Sequence, residues 1–298
     1  MSPIAALWTN WFATGLWPIA GGEGGKLMTP VLMVFLSCLF AMLYYGPAFT
    51  KQKLWGKLFD RKLWPYLLVV GLFGTALPFT TMFIALQYTT PANAAILNQV
   101  EILYSLILAF IFLREKPTLG QLGGSLLVVA GVVIILFNEQ FSPRWKGDII
   151  VLLTPWMFQV SHIAAKKLPA DISPVFIAGA RVIYAGITII PLLIFFALKG
   201  GLQFTAAPKT FLVLFFIGTI YYGVTQPLWY RAIRGMDLAK ATAIILSYPI
   251  LTLIVSAALG VEKIHLYQTV GLALAFGGAL WITMIVRREK DNEKISNV

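Results

Sequence analysis

The sequence predicts an all-α integral membrane protein of ten transmembrane helices, arranged as two inverted five-helix repeats. Three observations lead there. The 298 residues are 59% hydrophobic and only 12% charged, with a mean hydropathy of +0.82; a soluble domain carries about 25% charge. Apolar stretches near the ~20 residues needed to cross a ~30 Å hydrocarbon core recur along the chain, and open sheet edges cannot sit in lipid. The segment from Gly71 to Ile135 also returns without a gap as Gly218 to Ile282, with Ala85/Ala232, Glu115/Glu262, Lys116/Lys263, Gln121/Gln268 and Gly131/Gly278 among the matches.

The spans follow in order. The first, 3–21, opens MSPIAALWTNWF, which lacks a basic leader and an A-x-A site and is expected to be a span, not a cleaved signal. The second, 28–46, holds Cys38, the only cysteine, so no intrachain disulfide or cysteine-rich metal site is expected. The third, 64–86, follows the longest loop, 47–63, whose LWGKLFDRKLW stretch reads as a short amphipathic segment at the interface. The fourth, 91–113, restarts at Thr90-Pro91. The fifth, 118–137, begins with Thr118 and Gln121 in capping-box spacing. The sixth is 148–166. The seventh, 174–198, has Ser173 as N-cap and Pro174 at its first position. The eighth is 209–231. The ninth, 238–260, carries Pro249 mid-span, where proline frees a backbone carbonyl. The tenth is 267–286. Gly124, Gly131, Gly271, Gly277 and Gly278 give the fifth and tenth spans a small-residue face suited to close packing.

Charge orients the chain. Sixteen of the 23 Lys and Arg residues lie in 47–63, 114–117, 166–173, 231–240 and the C-terminal tail, and six lie in the alternate loops. The positive-inside rule then puts both termini in the cytoplasm, and the net charge of +11 is a topology signal, not a nucleic-acid one. Five spans per copy is odd, so the second copy must enter the membrane upside down. The expected organisation is a first repeat over 1–137, an inverted second over 148–286, and a cytoplasmic tail over 287–298. Duplicated halves of this kind, with a site between them, point to transport.

Glu101 is the sharpest single residue. It lies ten residues past Pro91, about 15 Å into the membrane at 1.5 Å per residue. A carboxylate is costly at that depth, and such residues usually face the bundle interior on ion or substrate pathways. Glu101 is therefore the proton-coupling candidate, and Asn98, Ala94 and Ser105 continue its polar stripe. Arg181 is the only basic residue deep in a span. It is suited to a bidentate contact with a substrate carboxylate, to pairing with Glu101, or to snorkelling. Gln159 and His162 share a face of the sixth span, one turn past Trp156. Trp8, Trp11, Tyr104, Trp229 and Tyr248 complete the candidate substrate-binding set. Tyr248 is the repeat partner of Glu101, and Thr252 that of Ser105. Glu115 and Glu262, at matching helix ends, are structural or gating candidates, with Gly124, Gly131, Gly271, Gly278 and Pro249. A carboxylate past a helix C-terminus opposes the dipole and suits the N-terminus of another helix. No catalytic pair, metal cluster or cofactor is expected, since nucleophile–base pairs, HExxH and cysteine clusters are missing from the sequence.

The stretches ALQYTTPANAAILNQVEILYSLILAFIFLREKPTLGQLGGSLLVVAGVVIIL and AIRGMDLAKATAIILSYPILTLIVSAALGVEKIHLYQTVGLALAFGGALWITMI share a small-residue-rich span, a Glu-Lys turn, then Gln-x-x-Gly and a second Gly seven residues on. In this the chain resembles the drug/metabolite transporter superfamily, EamA-like branch. The resemblance implies ten helices, inverted repeats, alternating access about a central cavity, and export of amino acids, other metabolites or drugs from a prokaryotic cell. Many such proteins carry an arginine in both the second and seventh spans. Here Arg181 matches the seventh and the second has none, and Ile102 stands where the second copy has Pro249. The expected function is an inner-membrane secondary transporter, exporting amino acids or similar small metabolites. An organic-cation carrier is the alternative, and a passive channel or membrane enzyme fits less well. The expected partners are a small-molecule substrate and the bilayer, not nucleic acid, with the chain a monomer or homodimer.

Overall fold

The structure, a computed structural model, describes residues 3–108, 111, 119–136, 144–169, 171–235, 245 and 247–296. The described residues are almost wholly helical, and a lone bridge between Met28 and Phe204 is the only strand-like pairing among them. Glu115, Lys116 and Thr118 lie outside the described residues, as do the side chains of Ser105, Gln121 and Lys166. Five described helices are long and apolar enough to cross a membrane: Pro30–Lys51, Trp64–Ala85, Trp145–Ala165, Pro174–Leu198 and Pro208–Ala232. With the first span, Pro3–Gly25, and the apolar helices of the fourth, fifth, ninth and tenth, they make a ten-helix membrane protein.

Prolines start most of the helices, because a helix's first turn needs no N–H donor there. Pro30, Pro91, Pro155, Pro174 and Pro208 all stand in first turns. Ser173 caps the seventh span, its hydroxyl accepting the Phe176 N–H at 3.1 Å, and Thr90 caps the fourth in the same way from Asn93 at 3.2 Å.

Several spans are less regular than their sequences suggest; the sixth, for one, breaks at Leu153 and Thr154 between Trp145–Leu152 and Pro155–Lys166. The third passes from α-helix Trp64–Gly71 through a π-helical turn, Leu72–Ala76, to Leu77–Ala85. The eighth does the same on a larger scale, with a π-helical run over Phe215–Thr225 between Pro208–Leu214 and Gln226–Gly235. The fourth breaks at a 3-10 turn, Asn98–Val100, between Pro91–Leu97 and Glu101–Leu108. Such departures depend on what side chains from other helices offer the backbone, which hydropathy does not encode.

The two π segments occupy matching places in the repeats. A Cβ on Gly71 would meet the seventh span at Tyr184 Cβ and the Arg181 carbonyl, and one on Gly218 would meet the second span at Phe40 Cβ and the Ser37 carbonyl. Ser37 thus stands in the first half where Arg181 stands in the second. Both crossings need glycine, since the approaches fall at 2.5–3.0 Å.

The fifth and tenth spans, Leu119–Leu136 and Leu266–Ser296, pack along their small faces. A Cβ on Gly131 would lie 2.5 Å from the Gly271 carbonyl, and one on Gly278 would run into the Gly124 carbonyl. Gly131→Leu is expected to push these helices apart at a cost of about 1–3 kcal/mol, read as a lowered unfolding temperature in detergent. Gly123→Ala, with nothing near its Cβ position, should leave that temperature unchanged.

Ten spans put both termini on one face. On the opposite face the two halves are clasped. Thr29 N–H donates to the Gln203 carbonyl at 3.1 Å, and Thr205 N–H to the Leu27 carbonyl at 2.8 Å. Glu262 Oε1 accepts the Ala92 N–H at 2.9 Å, so a carboxylate of the second repeat caps the fourth span of the first. Beside it, Gln268 Nε2 donates to Asn93 Oδ1 at 3.0 Å. Glu23, at the end of the first span, pairs with Lys26 at 2.5 Å and with Lys209 of the eighth. Hydrogen bonds from Lys209 and then Lys26 hold the Glu23 carboxyl below its ordinary value of 4.5. A depressed carboxyl stabilises the fold above its unfolded pKa and loses that effect as pH falls through the lowered value. The unfolding temperature of the protein should therefore drop more between pH 6 and pH 3 than that of Glu23→Gln. Equal drops would mean that the pair contributes nothing.

Candidate functional site

The fourth span supplies the centre. Its 3-10 turn ends where Glu101 begins the next helical stretch. The ninth span restarts at the repeat-matched residue: residue 245 is helical, Ser247 is a turn, and the helix Tyr248–Ala258 follows with Pro249 in its first turn. The two breaks thus fall at matching places in the two copies. Thr252 Oγ1 fixes the ninth span to the first by donating to the Gly15 carbonyl at 2.8 Å.

Glu101 is half-buried. Its Oε1 accepts a hydrogen bond from Gln159 Nε2 of the sixth span at 2.8 Å. The Asn98 amide lies within reach of both the Glu101 carboxyl and the Tyr248 hydroxyl. Asn98 Oδ1 is buried without a hydrogen-bond partner, and Tyr248 OH donates to the Ala95 carbonyl at 3.2 Å. Among the described residues no cation pairs with Glu101, and the ion pairs there are those of Glu23. Neutral donors hold the carboxyl, and an unsatisfied acceptor sits beside it.

Arg181 is buried and fully engaged elsewhere. Its Nε donates to Thr75 Oγ1 at 2.7 Å, one terminal nitrogen to Gln226 Oε1 at 2.6 Å, and the other to the Gly74 carbonyl. A π turn leaves carbonyls poorly satisfied within its own helix, and here the guanidinium fork ties one to the neighbouring π segment's end. In the other half Tyr45 does this work, its hydroxyl lying 2.8 Å from the Tyr222 carbonyl and 3.0 Å from that of Gly223. Arg181 and Glu101 do not pair. Tyr221 is within electrostatic reach of both, and also within reach of Thr14 and Gln226. Sequence reasoning left Tyr221, Gln226, Thr14 and Thr75 out of the site, because each is an ordinary polar residue until the helices are packed.

The other candidates form two groups. His162 and Trp229 stack at a tilt, ring centroids 5.9 Å apart, and Tyr104 OH donates to the Leu152 carbonyl of the sixth span at 2.9 Å. Trp156 packs on Phe73 of the π turn at 5.8 Å. Trp11 Nε1 donates to Ser247 Oγ at 2.7 Å, at the break in the ninth span, and Trp8 packs edge-on against Trp11 at 5.6 Å. Trp8 is itself 46% exposed, and no described contact brings its ring to Glu101. Trp17, which the sequence reading passed over, stacks on Tyr221 at 6.2 Å. No group of three or more metal-ligating side chains occurs among the described residues.

A two-repeat helical membrane protein, with matched helix breaks and a carboxyl between its halves, has the architecture of a membrane transporter. A model of the EamA-like transporter family matches residues 1–137 and 145–284. The chain belongs to that family, within the drug/metabolite transporter superfamily. Among similar proteins are an uncharacterized transporter of Archaeoglobus fulgidus, 24% identical over 74% of this chain and 76% of its own, and the uncharacterized transporter YyaM of Bacillus subtilis, 22% identical over 76% and 74%. A crystal structure with a TM-score of 0.67 and 18% identity covers 95% of this chain and 98% of its own, and shares the fold.

Proposed function

We propose that the protein is a secondary transporter of small ammonium-bearing metabolites, working by alternating access, with Glu101 binding substrate and protons in turn. The carrying observation is a carboxyl within a span, held by Gln159 and Asn98, with no cation paired to it among the described residues. Such a group favours a cationic partner, either a substrate ammonium or a proton. Exchange of one for the other couples outward substrate movement to inward proton flow. Both termini are assigned to the cytoplasm by the positive-inside rule, in the inner membrane of a prokaryote.

Amino acids and organic cations both carry the required ammonium group. The engagement of Arg181 by Thr75, Gln226 and Gly74 favours the organic cation, because a substrate carboxylate would have to displace those partners. The rings of Tyr248 and Tyr221, both within electrostatic reach of Glu101, suit a cation–π contact. Thermal-shift titration of the purified protein separates the two. Choline-like amines are expected to raise the unfolding temperature at concentrations where zwitterionic amino acids do not. The reverse order would favour amino acids, with Arg181 released from its present partners.

A further inference from the structure

The connection between the second and third spans is built unlike its counterpart. From the end of the helix Pro30–Lys51 the chain reverses at Lys53, whose φ of 53° is left-handed, into the 3-10 turn Trp55–Phe59. Leu54, Leu58 and Leu63 are buried against the helices, and the Leu58 carbonyl accepts a hydrogen bond from Tyr184 OH at 2.6 Å. The other side of the segment faces out. Lys51, Lys53, Lys57, Arg61 and Lys62 are exposed, with Asp60 the only acid among them. Between these cations stand Trp55 at 41% exposure, Trp64 at 43% and Phe59 at 80%. The matching connection of the second half, 199–207, carries one cation, Lys199, and is hydrogen-bonded to the turn after the first span. A connection of this kind therefore needs no cluster of five cations to fold.

We propose that the 51–64 segment is a binding surface for anionic phospholipid headgroups of the leaflet on the face that carries both termini. Leucines fix it to the protein, and the exposed aromatics sit at the level of the headgroups, where their rings are favoured. Each cation near an anionic surface strengthens attachment about fivefold. Phe59 leaves 80% of its surface open among lysines, and the headgroup layer offers such a ring an apolar surface. Tyr184 lies one turn from Arg181 on the same helix, so lipid held here also braces the span that pins the π segments.

The test uses the full chain purified in a neutral detergent, titrated with phosphatidylglycerol or phosphatidylcholine. Lipid retention is read by native mass spectrometry, and stability by thermal unfolding. Phosphatidylglycerol is expected to be retained preferentially and to raise the unfolding temperature, less so in high salt. The variant Lys53→Gln/Lys57→Gln/Arg61→Gln/Lys62→Gln should lose the preference by at least about tenfold. Lys199→Gln/Lys263→Gln, on the opposite face, should keep it. If the fourfold variant does not fold, the single variants should each lose about fivefold. No preference in the native chain, or full preference in the neutralised variants, would overturn the proposal. So would an equal effect of glycerol phosphate, which would mark a site for free anions.

Discussion

Glu101→Gln is expected to abolish transport driven by a proton gradient while leaving the fold intact. The amide has nearly the carboxyl's shape, and its carbonyl still accepts from Gln159 Nε2, so the hydrogen bond between the fourth and sixth spans is kept. What goes is the charge and the ability to exchange a proton. A hydrogen bond to a charged group contributes about 1.5–3 kcal/mol, so amine affinity should fall about 10- to 100-fold. In proteoliposomes an imposed pH gradient should then drive no accumulation, and the unfolding temperature should stay within a few degrees of the native one. Transport equal to the native rate at every gradient would remove Glu101 from the mechanism.

Arg181→Ala should act through stability. The change leaves the Gly74 carbonyl, Thr75 Oγ1 and Gln226 Oε1 without the donors that satisfy them. It also opens a gap beneath the crossing at Gly71. Unsatisfied buried acceptors and lost packing together are expected to cost about 3–5 kcal/mol. Arg181→Lys should recover only part of this, because one ammonium cannot span three acceptors arranged for a planar fork. Unfolding in mixed micelles measures both. A stable Arg181→Lys variant with lost affinity for carboxylate-bearing substrates would instead assign Arg181 to the substrate.

Much of the scaffold was legible in the sequence because burial in lipid imposes simple rules. Hydropathy and proline positions marked most span starts, and Ser173-Pro174 behaves as its spacing suggests. The packing of Gly131 on Gly271 and of Gly278 on Gly124 followed from their periodicity. Pro249 marked the ninth span as a place where the helix opens, but the sequence did not announce the break in the fourth. No proline marks the fourth, where Ile102 holds that place and the 3-10 turn precedes Glu101.

The site was read less completely, for a physical reason. Sequence places a charge in the membrane but does not say which charges neutralise one another. Arg181 and Glu101 looked like a pair or two arms of one substrate site. In the structure one holds the frame and the other is held by amides, and Tyr221 is within electrostatic reach of both. The π turns at Leu72–Ala76 and Phe215–Thr225 had no pattern of their own beyond Gly71 and Gly218, so the acceptors that occupy Arg181 were invisible until the helices were packed.

The exchange at Glu101 is tested most directly by counting protons. In weakly buffered detergent solution, an amine that binds the native protein should release a proton as it binds, while Glu101→Gln should release none at amine concentrations raised to restore occupancy. Binding to the native protein without proton release, or equal release from both proteins, would contradict the account.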